Sequence, residues 1–138
     1  MPHSNVRRIR RFLDALNRRD LKACLEFLDP EVEWHWMDWG PLSGVHSGPE
    51  GMKTILEQLR TEAWELFRIE CDEIDYAGSR VLVLGGMRGP GGSSAGTTDI
   101  TIAWLITLVQ GAIVRVLSYS EQDKARHALE RYRNNLRR

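Results

Sequence analysis

The sequence predicts an α+β fold in which helices cover one face of a curved antiparallel sheet. Apolar residues recur about every 3.6 residues in the first part of the chain and again near its end, as in amphipathic helices. Between residues 66 and 119 the period changes to two, which is typical of strands. Helices that precede a run of consecutive strands indicate the α+β class.

Length and composition predict one soluble domain spanning residues 1–138, long enough to bury a core without disulfides. Lys plus Arg and Asp plus Glu number 19 each, so no net charge attracts nucleic acid or an anionic membrane. No apolar run approaches the ~20 residues of a membrane span, and the first residues lack a signal-peptide pattern. We therefore expect a cytoplasmic protein with no nucleic-acid and no membrane partner.

The cysteines and histidines give no sign of a metal centre. Cys24 and Cys71 lie far apart in apolar surroundings, which predicts two reduced, buried thiols. His35 and His46 have neither a tight ligand spacing nor further partners. We expect no metal and no other cofactor.

Two helices and one strand are predicted in the first 36 residues. Asn5 precedes the first helix, and residues 17–20 end it. Asp20 can cap a short second helix, which the Asp-Pro pair at residues 29–30 stops. The alternation over residues 31–36 then predicts a strand with Val32, Trp34 and Trp36 on one face.

The remaining elements follow from turn and capping patterns. Residues 37–47 are rich in Gly and Pro and predict a loop. Ser47 and Glu50 have the spacing of a capping box, so a third helix is expected after Ser47. Strands are predicted at residues 66–76, 81–87, 97–109 and 112–119, with hairpin turns at 77–79 and 110–111. An amphipathic helix from about residue 121 ends the chain.

Five segments in this order carry a resemblance to a known family: residues 15–21, 28–34, 47–52, 78–84 and 111–115. Together they resemble the nuclear transport factor 2-like superfamily, and within it the SnoaL-like and ketosteroid-isomerase-like proteins. The resemblance implies a cone-shaped half-barrel, with helices packed on the concave face of a strongly bent sheet and one enclosed cavity. It also implies a homodimer through the outer sheet face, where Arg115 and Tyr119 of the last strand would lie.

The resemblance locates the positions at which related enzymes hold their catalytic groups. Ketosteroid isomerases use a tyrosine, a carboxylate base and a protonated acid. By motif, these positions fall on Phe12, Trp34 and Trp104, with Ala103 as the alternative to Trp104. None of these side chains can transfer a proton at neutral pH. The isomerase trio is therefore not expected to operate here.

The apolar residues at these positions predict a ligand pocket rather than a proton relay. The candidate ligand-binding residues are Phe12, Trp34, Trp36, Ile102, Trp104, Val116 and Ser118. Each aromatic ring can bury about 150–250 Å² of surface, so the same rings could also fill the core completely. We predict a SnoaL-like protein whose apolar, tryptophan-rich cavity binds a small apolar or aromatic molecule.

Two alternative functions stay open. Asp38 and His46 lie near the expected cavity mouth and are the candidate acid–base residues of a cofactor-independent isomerase, polyketide cyclase or dehydratase. His35 is expected to point away from Trp34, and Asp99 is expected on the outside of the sheet. The second alternative is a non-enzymatic module that binds other proteins through its sheet.

Overall fold

The computed structural model describes residues 2–36, 44–60, 66–89 and 100–137. Its helices are α1 (Pro2–Asn17), α2 (Leu21–Leu25), α3 (Gly48–Leu59) and α4 (Gln122–Leu136). Its strands are β1 (Leu28–Trp36), β2 (Gly44–Ser47), β3 (Arg68–Ala77), β4 (Arg80–Arg88), β5 (Ile100–Val109) and β6 (Ala112–Ser118). The predicted α+β order is confirmed, and β2 is an additional strand within the segment predicted as a loop.

The six strands form one sheet in the order β2-β1-β6-β5-β4-β3. All neighbours pair antiparallel except β1 and β6, which run parallel. The expectation of a purely antiparallel sheet is therefore corrected to a mixed sheet. A parallel pair needs a long crossover, and α3 with the β3–β5 meander provides it.

The predicted turns and the cap of α2 are confirmed, whereas α1 begins at Pro2 and so contains Asn5, which was expected to precede it. Gln110 and Gly111 have φ angles of 50° and 83°, the two left-handed conformations of a tight hairpin turn. Asp20 caps α2 by accepting a hydrogen bond from the backbone N–H of Ala23 at 3.0 Å. Ser47 occupies the N-cap position of α3, but its side chain makes no capping hydrogen bond.

Three helices pack on the inner face of the sheet. The apolar sides of α1 and α3 contribute Ile9, Phe12, Leu16, Ile55 and Leu59 to a continuous buried core. The strands contribute inward-facing residues to the same core, among them Trp34, Trp36 and Trp104. This arrangement leaves the inner face almost wholly apolar.

The fourth helix, α4, lies on the outer face, which corrects the expectation that helices cover one face only. Ala125 and Leu129 of α4 pack with Leu82, Leu84 and Leu105 in a second buried cluster. Strands β4 and β5 are therefore covered on both sides. Their near-continuous apolar runs are typical of strands buried on both faces.

The bend of the sheet has a local cause in β3 and β4. A Cβ atom on Gly85 would overlap the backbone oxygen of Glu70, so only glycine allows the two strands to approach this closely. Opposite it, the β3–β4 register shifts between Cys71 and Glu73. A bulge of this kind increases local twist and bends the strand.

Helix α1 is fixed to the edge strand β3 by Asn17. Its side-chain amide donates to the backbone oxygen of Ile69 at 3.0 Å and accepts from the backbone N–H of Ile69 at 2.7 Å. The neighbouring Arg19, which is buried, donates to the backbone oxygens of Leu59 and Phe67. These contacts set the angle at which α1 presents Phe12 to the inner face.

The two thiols differ in burial. Cys24 is fully buried, and burial raises the pKa of its thiol to about 12. Cys71 is only half-buried, which corrects the expectation that both are buried. Within the described ranges, no helix is long and apolar enough to cross a membrane.

We predict that Asn17→Ala lowers the free energy of unfolding by about 1–3 kcal/mol, because it leaves two backbone groups of Ile69 without partners. The control Asp14→Ala removes only an exposed ion pair with Arg18 and should change stability by less than about 1 kcal/mol. Urea denaturation measures both. Equal effects of the two substitutions would contradict the anchoring role of Asn17.

Candidate functional site

Strand β1 places its tryptophans by simple alternation. Val32, Trp34 and Trp36 are buried, whereas Glu33 and His35 between them are half-buried. Because successive side chains point to opposite faces, the buried set faces the inner core with α1 and α3. The structure therefore confirms the prediction that Val32, Trp34 and Trp36 lie on the same face of β1.

Four aromatic rings form one group on the inner face, here called the aromatic cluster: Phe12, Trp34, Trp36 and Trp104. Trp34 and Trp36 stack with ring centroids 5.3 Å apart and planes 7° apart. Trp104 meets both edge-on, at 5.1 Å from Trp34 and 5.9 Å from Trp36. Phe12 lies 5.8 Å from Trp34. Offset-stacked and edge-to-face contacts at these distances are the favoured aromatic geometries.

Strands β5 and β6 supply the rest of the predicted pocket residues. Trp104 is the register partner of Ser118, and Ile106 is the partner of Val116. Val116 is also the register partner of Trp34 across the parallel pair. Residues directly opposite one another share a face, so these side chains and the buried Ile102 lie with the aromatic cluster. All seven residues predicted from the sequence are therefore close neighbours on the inner side.

Two polar atoms of this region are buried without a partner. Neither Nε1 of Trp34 nor Oγ of Ser118 makes a hydrogen bond within the described part of the chain. A buried donor without an acceptor costs about 1–3 kcal/mol, and such groups are few in native proteins. The aromatic cluster therefore has a hydrogen-bonding capacity that its own residues do not use.

The inner face carries little charge. Across residues 2–36, 44–60, 66–89 and 100–137, the only buried charged side chain is Arg19, and no carboxylate is buried. No group of three His, Cys, Asp or Glu residues in those ranges is arranged to hold a metal. At Phe12, Trp34 and Trp104, the positions to which the resemblance pointed, the described structure has aromatic rings in contact.

The strand register brings the titratable residue His46 opposite Trp34 of the aromatic cluster. His46 lies on β2 rather than in a loop, which corrects the sequence-based placement. His46 is the register partner of Trp34, so the two side chains share the inner side of the sheet. Gly51 of α3 passes so close that a Cβ there would lie 3.0 Å from Cβ of His46. Asp38, the other candidate acid–base residue, lies outside the described residues, as does Asp99.

The outer face of β1 and β6 holds the residues expected there. His35 lies 3.1 Å from Glu33, and Glu33 lies 3.8 Å from Arg115 of β6. Tyr119 packs beside the outer cluster under α4. His35 thus belongs to a partly exposed ion-pair group and not to the inner site.

One contributor to the site was missed by the sequence analysis. Phe27 contacts Phe12 with ring centroids 6.0 Å apart, which extends the aromatic group toward α2. Arg8 of α1 lies 5.3 Å from the Phe27 ring and donates to the backbone oxygen of Gly111 at 2.6 Å. Phe27 lies within the predicted second helix, but α2 ends at Leu25, so the helical period does not indicate the side to which Phe27 points.

Comparison with known proteins agrees with this architecture. Residues 9–116 match the family model described as the SnoaL-like domain. Among proteins with curated descriptions, none matches the chain. Many solved structures share its cone-shaped α+β fold, which confirms the resemblance and the fold class.

Three of these structures illustrate the likeness. An NTF2-like protein from Burkholderia xenovorans LB400 is 25% identical, with a TM-score of 0.67 over 94% of this chain and 98% of that one. TerC, co-crystallised with polyporic acid, is 25% identical, with a TM-score of 0.69 over 91% and 97%. Bal32a, from a soil-derived mobile gene cassette, is 17% identical, with a TM-score of 0.75 over 93% and 97%.

We predict energetic coupling between Trp34 and Trp104. In a double-mutant cycle of Trp34→Leu and Trp104→Leu, the coupling energy should be about 0.5–1.5 kcal/mol, the value of a well-oriented aromatic pair. Leu105 is equally buried but faces the outer cluster. A cycle of Trp34→Leu with Leu105→Ala should be additive within about 0.5 kcal/mol. Equal coupling energies in both cycles would contradict a specific aromatic contact between Trp34 and Trp104.

Proposed function

The chain belongs to the SnoaL-like family, and from this we propose that it binds a small, flat aromatic molecule carrying an oxygen substituent. The ligand would lie on the inner face of the cone, against the aromatic cluster. The observation that carries this proposal is the pairing of close-packed rings with two buried polar atoms that lack partners.

The rings favour an apolar, planar ligand. Each ring of the aromatic cluster is at most 6% exposed, so a ligand there would be removed almost fully from water. Burial of apolar surface contributes about 25 cal/mol for each Å², and a flat ring can add edge or face contacts.

The polar atoms favour an oxygen on that ligand. A hydroxyl or carbonyl oxygen could accept from Nε1 of Trp34, and the hydroxyl of Ser118 could donate or accept. Such bonds would remove the cost of two unsatisfied groups, so they would favour oxygen-bearing ligands over plain hydrocarbons. TerC, which is similar in fold, was co-crystallised with polyporic acid, and this supports a small-molecule role.

The test is isothermal titration with 1-naphthol and naphthalene. We expect 1-naphthol to bind more tightly, and Trp34→Phe or Ser118→Ala to weaken it by about three- to tenfold, the loss of one hydrogen bond. Naphthalene affinity should change little in Ser118→Ala, which leaves the rings of the aromatic cluster intact. Tyr119→Phe removes a hydroxyl one residue away on the outer side and serves as the control.

Two results would overturn the binding proposal. If neither compound binds, the aromatic cluster is a closed core. If Tyr119→Phe weakens 1-naphthol as much as Ser118→Ala does, the ligand oxygen does not contact the inner face.

A second candidate function follows from the position of His46. Its register with Trp34 places an ionisable side chain on the inner side, where it could act as a general base toward a bound ligand. The protein would then be a cofactor-independent isomerase, cyclase or dehydratase, with Asp38 as a further candidate acid.

For this candidate, we predict that His46→Gln abolishes any turnover of an oxygenated aromatic substrate with an acidic C–H bond. His35→Gln, on the opposite face of the sheet, should leave the rate unchanged. Hydrogen–deuterium exchange of the substrate, followed by NMR, measures the proton transfer directly. Unaltered exchange in His46→Gln would remove His46 as the base.

We further propose a cytoplasmic homodimer that uses the part of the outer face beyond α4. Helix α4 covers β4 and β5 on the outer face. It does not cover Arg115 of β6, which stays exposed beside Glu33 of β1. Tyr and Arg are favoured at such interfaces.

A further inference from the structure

A second concave region lies away from the aromatic cluster, between the N-terminal half of α1 and strand β3. This groove has a volume of about 430 Å³ and is lined by Val6, Arg7, Arg10, Ile74 and Tyr76. Ligand sites are typically about 300–1,000 Å³ in volume, so the groove can hold a small molecule. Strand β3 is the edge strand opposite β2, two strands away from Trp104 on β5.

The floor of the groove is apolar. Ile74 and Tyr76 are partly buried and pack against the inner core, and Val6 is half-buried on α1. An exposed apolar floor bounded by charged side chains is typical of a binding site for an amphiphilic ligand.

The rim of the groove is positively charged without compensation. Arg7 and Arg10 are exposed, and neither forms an ion pair with a carboxylate of the described residues. Arg10 lines the groove together with Ile74 and Tyr76 of β3, and its charge lowers the pKa of the nearby Cys71 thiol against the rise that burial causes. Its neighbour Arg8 is used structurally, bound to the backbone oxygen of Gly111.

The carboxylates of β3 form their ion pairs with arginines of β4 and α4 rather than with Arg7 or Arg10. Arg88 binds Glu70 and Asp72 at 2.9 and 2.6 Å. Arg126 and Arg133 of α4 bind Glu73 and Asp75 at 3.0 and 3.2 Å. Arg7 and Arg10 on the α1 side of the groove take no part in these ion pairs and can contact an anionic ligand.

We propose that this groove is a binding site for a small amphiphilic anion, namely an apolar chain or ring that carries a carboxylate or a phosphate. The apolar part lies on Ile74 and Tyr76, and the oxyanion accepts charge-assisted hydrogen bonds from Arg7 and Arg10. This site is independent of the proposed aromatic ligand on the inner face.

The experiment titrates the protein with octanoate, octyl phosphate and octanol by calorimetry, and maps the bound site by amide NMR shifts. We expect both anions to bind and octanol to bind at least about tenfold more weakly, since it cannot form the charged contacts. Arg7→Gln with Arg10→Gln should weaken the anions by a similar factor. The control, Arg11→Gln with Arg131→Gln, removes the same charge from exposed positions outside the groove.

Whichever anion binds better identifies the headgroup, and either outcome supports the proposal if the shifts map to α1 and β3. Unchanged anion binding in Trp34→Phe would separate this site from the aromatic cluster. If the control variant weakened anion binding equally, the proposal would be overturned, because the anions would then respond to the overall charge of the protein and not to Arg7 and Arg10. Octanol binding as tightly as octanoate, or association with anionic vesicles alone, would overturn it as well.

Discussion

The contact between Trp104 and Trp34 determines the character of the inner face. These residues lie on β5 and β1, which are separated by β6. Strands two positions apart are about 9–10 Å from each other, yet the ring centroids are 5.1 Å apart. The two indoles must therefore lean toward one another over β6, where Val116 and Ser118 lie. This geometry depends on the curvature of the sheet and explains why the Ser118 hydroxyl is buried.

The ion pairs of β3 and the aromatic cluster lie on opposite faces of the sheet. Arginines of β4 and α4 hold the carboxylates of β3 in ion pairs at the surface, at Glu70, Asp72, Glu73 and Asp75. On the inner side, Trp34 and Trp104 meet edge to face, and neither ring can transfer a proton at neutral pH. Proton transfer there would depend on His46 rather than on a carboxylate of the described strands.

Local patterns predicted much of this structure. Alternation identified the inward side of Trp34 and Trp36, and the turn at Gln110 and Gly111 fixed the last hairpin. The parallel pairing of β1 with β6 could not be predicted, because it depends on the path of the whole chain rather than on a local period. The outer position of α4 was not predicted, although the continuous apolar runs of β4 and β5 are typical of strands covered on both faces. The partners of Asn17 lie 52 residues away, at Ile69, so no local signal revealed them.

The most direct measurement of the central claim is a crystal structure of the protein with 1-naphthol bound. We predict that the naphthol ring contacts Trp104 on the inner face and that its oxygen lies within hydrogen-bond distance of Trp34 Nε1 or Ser118 Oγ. A structure in which either indole of Trp34 and Trp104 faces solvent, or in which the ligand lies only on the outer surface, would contradict the account.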